Sequence, residues 1–182
     1  MSRLGKYPVV FGEKTSVEIK DGKIFIKGEK GSLERVINNK LDYDVSDKEI
    51  LIKRRNDEKE SKALHGLFRS LINNMVVGVE KGFEKELVIN GTGYRFGMKG
   101  KQLECEVGYS SPVIMDVPES VDVEISKKGD SMKLKSVNNE VLGDFCAKIR
   151  KLRPVEPYKA KGIHFKDERI RRKVGKAAAG AE

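Results

Sequence analysis

A chain of 182 residues with 38% hydrophobic and 36% charged side chains is long enough for one medium domain or two small ones, and apolar enough to exclude wholesale disorder. Its formal net charge of +9 has a local origin, because residues 148–176 hold 12 of the 37 bases against three acids, Glu156, Asp167 and Glu168. No apolar run approaches the roughly 20 residues that span a bilayer, Cys105 and Cys146 stand in no metal-ligand spacing, and Arg3 and Lys6 lead into no hydrophobic signal core, which together predict a cytoplasmic protein in a reducing compartment with no metal or cofactor.

Residues 17–27, Val-Glu-Ile-Lys-Asp-Gly-Lys-Ile-Phe-Ile-Lys, read as two strands around Asp21-Gly22, because Asp-Gly supplies the positive-φ pair of a two-residue hairpin turn. Leu33–Ile37, Leu41–Val45 and Glu49–Arg54 are further strand candidates. The period then changes. Leu64, Leu67, Phe68, Leu71, Ile72, Met75, Val76 and Val79 form one apolar helical stripe. Asn56 or Asp57 is expected to cap its start, and Gly78 or Gly82 to mark its end. Strand candidates at Glu84–Ile89, Gly93–Met98, Gln102–Tyr109, Val113–Val117, Val121–Ser126 and Ser131–Ser136 lead into a second helix over about Asn139–Leu152, stopped by Pro154.

The two halves repeat. Leu64-His65-Gly66-Leu67-Phe68 with Ile72 aligns with Val141-Leu142-Gly143-Asp144-Phe145 with Ile149 at a constant offset of 77, and each helix follows a run of strands. The expected fold class is therefore α+β: two tandem duplicated domains, each an antiparallel β-sheet packed on one α-helix, plus a basic C-terminal tail. The boundaries expected are 1–81, 82–153 and 154–182.

Residues 153–176 interleave bases with Tyr158, His164 and Phe165. Pro154 and Pro157 favour an extended backbone, Lys159 and Lys161 flank Ala160 so that both bases point one way, and Gly162 permits close backbone approach to phosphate. The aromatic faces either stack on unpaired bases or anchor the segment on the body, and the alternative for the whole stretch is a solvated tail. Gly91-Thr-Gly-Tyr-Arg-Phe-Gly97 has the wrong spacing for a dinucleotide fingerprint and no helix after it, so bulge or corner glycines are expected rather than a nucleotide site. No catalytic residue emerges: His65 has no nucleophile partner, and the carboxylates are interleaved with lysines. Arg69 and Asn73 lie on the polar side of the first helix, either touching a partner or merely solvated.

Glu156-Pro157-Tyr158-Lys159-Ala160-Lys161-Gly162-Ile163 resembles the C-terminal signature of the bacterial-type large-subunit ribosomal protein six family. The opening Met1-Ser2-Arg3-Leu4-Gly5-Lys6, the Gly28–Gly31 turn, Arg69–Val76 and Gly91–Arg95 are similar to the family's other recurrent stretches, in the same order. The resemblance implies a non-enzymatic structural constituent of the large ribosomal subunit that binds 23S-type rRNA through its second domain and tail. It further implies a position near the sarcin–ricin loop, the stalk base and the docking region of translational GTPases, with neighbouring ribosomal proteins as partners and no small-molecule substrate. The RNA-binding residues expected are Arg153, Tyr158, Lys159, Lys161, Gly162, His164, Arg169, Arg171, Arg172, Lys173 and Lys176. The rival readings are a free-standing RNA-binding regulator and an RNA-modifying enzyme whose tail recruits substrate.

Overall fold

The computed structural model of the chain describes residue 5, residues 7–46 and residues 48–175. Contacts divide it into two units, the first running to Phe83 and including Val137–Asn139, the second taking Glu84–Ser136 and the chain from Glu140 on.

In unit 1, β1 (Val9–Val10) is followed by β2 (Ser16–Lys20), β3 (Lys23–Gly28), β4 (Gly31–Val36), β5 (Leu41–Val45), β6 (Glu49–Arg54) and α1 (Lys59–Glu80). The strands form two antiparallel sheets, β2-β3-β4 and β1-β6-β5. The β2–β3 turn is the one that Asp21-Gly22 predicts, with φ of 50° and 70°. Period-2 alternation buries Ile24 and Ile26 from β3 and Ile50 and Ile52 from β6, against Ile72, Met75, Val76 and Val79 of α1.

Two details of α1 differ from expectation. Leu67 is 51% exposed, because it stands about 200° around the helix from the buried His65, and the true inner face runs through His65, Ile72 and Val76. His65 is admitted to that face because its Nε2 donates to the Ile52 carbonyl at 2.8 Å, which satisfies the ring inside the core. Neither Asn56 nor Asp57 caps the helix. Glu58 precedes it without a side-chain cap, Asn56 pairs with the Ser61 hydroxyl, and Asp57 pairs with Arg54.

The second half contains β7 (Phe83–Asn90), β8 (Arg95–Lys99), β9 (Gln102–Glu106), β10 (Val113–Asp116), β11 (Val121–Ile125), β12 (Ser131–Ser136), α2 (Asn139–Leu152) and β13 (Gly162–Phe165). Its sheets are β10-β9-β8 and β11-β12-β7-β13. The order repeats unit 1: a three-stranded meander, then a sheet in which the last two strands before the helix lie beside the first strand of the half. At the offset of 77, His65 and Leu142 are both buried, Ile72 and Ile149 are both buried, and Leu67 and Asp144 are both exposed.

β13 breaks the symmetry. It extends the second sheet beyond β7, antiparallel, with Ile163 opposite Ile89 and Phe165 opposite Leu87. Much of the segment expected as a tail is thus part of unit 2, since Gly162, Ile163 and His164 are buried. Gly162 sits at φ +132°, and a Cβ there would stand 2.7 Å from the Pro154 carbonyl oxygen and 2.8 Å from the Val155 Cα. That closeness lets the Ile163 N–H donate to the Arg153 carbonyl at 2.9 Å, tying the chain leaving α2 to β13.

Cys105 and Cys146 are buried free thiols in unit 2. Burial pushes the Cys105 thiol up to about 12, and burial also raises Cys146. The folded chain therefore keeps Cys105 protonated where the unfolded chain ionises near 9.0, so the stability linked to this thiol is intact below pH 9 and is lost as pH rises towards 12. Both cysteines are expected to be silent to a thiol-reactive dye at pH 8 until denaturant unfolds the chain. Gly162→Ala is expected to lower unfolding stability by at least about 2 kcal/mol in a urea titration, through backbone overlap and a disfavoured φ.

Candidate nucleic-acid interface

The interface begins where α2 must stop. Pro154 cannot continue the helix, and the Tyr109 hydroxyl donates to the Leu152 carbonyl at 2.7 Å, filling one of the acceptors that the helix end leaves open. The chain then makes a short loop closed by Glu156 N–H to the Lys161 carbonyl at 2.9 Å. Ala160 occupies the left-handed region at φ 57° and is 1% exposed, so its methyl turns inward while Lys159 and Lys161 on either side face solvent. Tyr158, at the loop's tip, is 58% exposed.

Arg153, Pro154, Glu156, Tyr158, Lys159 and Lys161 line one cleft of about 660 Å³ together with Tyr94. Tyr94 lies in the β7–β8 turn, with its N–H donating to the Gly91 carbonyl at 3.2 Å. A Cβ on Gly91 would overlap the Tyr94 ring, and one on Gly108 would stand 2.9 Å from its Cε1 and Oη, so two glycines leave room for the ring. Sequence reasoning missed Tyr94 as a site residue. Its signal was the Gly-Thr-Gly stretch before it, read as corner glycines without asking what packs on them. Arg95 is committed elsewhere, forming a bidentate pair with Glu106 at 2.7 and 2.8 Å.

The remaining basic run returns to this loop. The Lys173 N–H donates to the Pro157 carbonyl at 2.8 Å, which brings Arg171–Lys173 back beside Tyr158. Arg169, Arg171, Arg172 and Lys173 are exposed. Lys176 lies outside the described residues.

Ion pairing sorts the bases. Lys148 pairs with Asp144, Arg150 with Glu168 and Lys166 with Glu86, each at 2.9 Å. Arg150 also lies 5.0 Å from the Phe165 ring centroid, and Lys85 approaches the same ring at 5.6 Å, so Phe165 holds the segment to unit 2. Among the described residues, Arg153, Lys159, Lys161, Arg169, Arg171, Arg172 and Lys173 have no carboxylate partner, and neither does Lys151. In unit 1, Lys14, Lys20, Lys23, Lys40, Lys48, Lys53, Arg54 and Arg55 meet carboxylates within the unit, while Lys27, Lys59, Lys62 and Lys81 meet none among the described residues.

Two expected site residues have other roles. His164 is 8% exposed, with Nε2 3.0 Å from the Asn90 amide nitrogen and Nδ1 2.8 Å from the Phe165 carbonyl oxygen, so it displays no face for stacking. Gly162 is buried, and the close approach it permits is to the chain's own residues 153–155 rather than to phosphate. Arg69 donates to the Tyr7 carbonyl at 3.3 Å. The arrangement presents cations and aromatic surface, which suits phosphate neutralisation and base stacking.

The sequence profile of the family described as Ribosomal protein L6 matches residues 11–82 and again 90–166, one match in each half of the repeat. A protein named large ribosomal subunit protein uL6 from Dictyoglomus thermophilum is 47% identical over 178 residues, covering 97% of this chain and 98% of its own length. The protein of that name from Flavobacterium johnsoniae is 45% identical over 181 residues, covering 98% and 100%, and that from Acaryochloris marina 45% over 177 residues, covering 97% and 98%.

The placement of His164 generates a test. His164→Ala is expected to lower stability by about 1–3 kcal/mol, since it leaves Asn90 without its ring partner, while the salt dependence of RNA binding stays unchanged.

Proposed function

The chain belongs to the ribosomal protein L6 family, and from that membership we propose that it is a structural constituent of the large ribosomal subunit that grips the subunit's rRNA through unit 2. The grip consists of Arg153, Tyr158, Lys159 and Lys161 on the loop after α2, with Arg169, Arg171, Arg172 and Lys173 on the returning segment and Lys176 beyond it. The observation that carries this reading is the single hydrogen bond from Lys173 to Pro157, which joins two runs of unneutralised bases into one surface.

Each base that meets a phosphate releases condensed counterions, so affinity falls steeply with salt; about six phosphate contacts give a log–log slope of roughly −4 to −5. The side chains of a folded domain do not reach base edges in the deep major groove of A-form RNA, so recognition of its paired stretches rests on phosphate positions and shape. Unit 1, where Lys14, Lys20, Lys23, Lys40, Lys48, Lys53, Arg54 and Arg55 are paired internally, contributes less to this term and is assigned to protein neighbours or looser RNA contact. The family resemblance further supports a position near the sarcin–ricin loop and the stalk base, close to where translational GTPases dock.

The test uses the full chain, because cutting at residue 153 removes β13 and damages the sheet itself. Replacing Arg169, Arg171, Arg172 and Lys173 together by Ala is expected to make the salt slope for large-subunit rRNA shallower by about 3–4, with circular dichroism unchanged. An unchanged slope would place the grip elsewhere and overturn the assignment.

A further inference from the structure

One carboxylate is out of place in the cleft of unit 2. Glu156 shares the lining with Arg153, Lys159 and Lys161, it is half-buried, and its side chain holds no ion pair or hydrogen bond among the described residues. In a surface that served only to neutralise phosphate, an acid at the centre weakens binding by like-charge repulsion. A carboxylate is instead favourable opposite N–H donors, which RNA presents on its bases. The cleft, at about 660 Å³, lies within the roughly 300–1,000 Å³ range of sites that enclose a small ligand. It is flanked by two tyrosines of different kinds: Tyr94, seated against Gly91 and Gly108, and Tyr158, projecting into solvent.

We propose, resting on the reading of unit 2 as an rRNA grip, that this cleft seats one unpaired nucleotide. Its phosphates meet Arg153, Lys159 and Lys161, its base stacks on the tyrosine surface, and Glu156 accepts hydrogen bonds from the base edge. An unpaired nucleotide is the part of a folded RNA that fits such a site, since its base is free to leave the stack and show its Watson–Crick edge. Guanine fits Glu156 best. Its N1–H and N2–H₂ are adjacent donors that match the two oxygens of a carboxylate, whereas uracil shows a single N–H between two acceptors.

The experiment measures binding of the full chain to RNA hairpins of fixed stem and a uridine loop with one position varied as G, A, C or U. A fully paired duplex of equal phosphate count serves as control, alongside large-subunit rRNA. The expected result is tighter binding of the G-loop hairpin than of the all-uridine loop by about fivefold or more. Tyr158→Ala and Tyr94→Leu are each expected to weaken the G-loop complex by about fivefold or more, and to weaken it more than they weaken duplex binding. Glu156→Gln is expected to flatten the preference among bases. Tyr158 is exposed, so its variant tests the idea even where Tyr94→Leu disturbs the fold. Equal affinity of the wild-type chain for G and U loops, or unchanged G-loop affinity in Tyr158→Ala, overturns the nucleotide seat. Salt-dependent binding to rRNA in that same series would leave the phosphate grip standing, and its absence would remove both.

Discussion

The antiparallel pairing of β13 with β7 is the contact on which the rest of the candidate interface depends. Ile163 is fully buried by it, a burial worth about 2 kcal/mol, and its N–H reaches back to the Arg153 carbonyl. The strand pairing and that hydrogen bond fix both ends of the loop that carries Tyr158, Lys159 and Lys161. Gly162 is the condition for it, because no other side chain fits between β13 and the carbonyls of Arg153 and Pro154. The loop is thus an outgrowth of a sheet rather than a free arm. A loop already held in shape gives up less conformational freedom on meeting RNA, and more of each contact remains as affinity.

Charge in this protein is governed by which bases have already found an acid. Surface ion pairs contribute little to folding, but they set what is left over for a polyanion. Along β2–β6 some bases sit across from acids on neighbouring strands, as with Lys23 and Glu34 or Lys53 and Asp44. In unit 2, Glu168 is taken by Arg150 and Glu86 by Lys166, pairs that serve to dock the C-terminal stretch. The bases beyond them are the surplus. The net charge therefore describes the molecule poorly, and the pairing describes it well.

Local signals in the sequence identified most of the fold. Asp21-Gly22 fixed its hairpin because turn chemistry is local, and the helices were legible because 3.6-residue periodicity over many turns is hard to mistake. The two strands that went unseen, β1 and β13, have two and four residues, too few for a period to be read. His164 was read as an exposed aromatic because its neighbours are bases, whereas its burial depends on Asn90, a partner 74 residues away. Tyr94 escaped for the same reason: the cleft joins residues from the β7–β8 turn and the loop after α2, and no pattern along the chain announces that meeting. The basic surface itself was visible as composition, but its division into paired and unpaired bases was not.

The extra strand also sets an order of assembly. β7 leaves the synthetic machinery early in the second half, and β13 is made only after three further hairpin strands, two more and a helix have followed it. Domains fold as units, N-terminal first, as the chain emerges. Unit 1 has all six of its strands and its helix in hand while the sheet of unit 2 still lacks its edge. The loop between Arg153 and Gly162 has no fixed shape until that edge arrives. A chain stopped before β13 therefore carries a folded first half and a second one in which neither end of the candidate interface's loop is held.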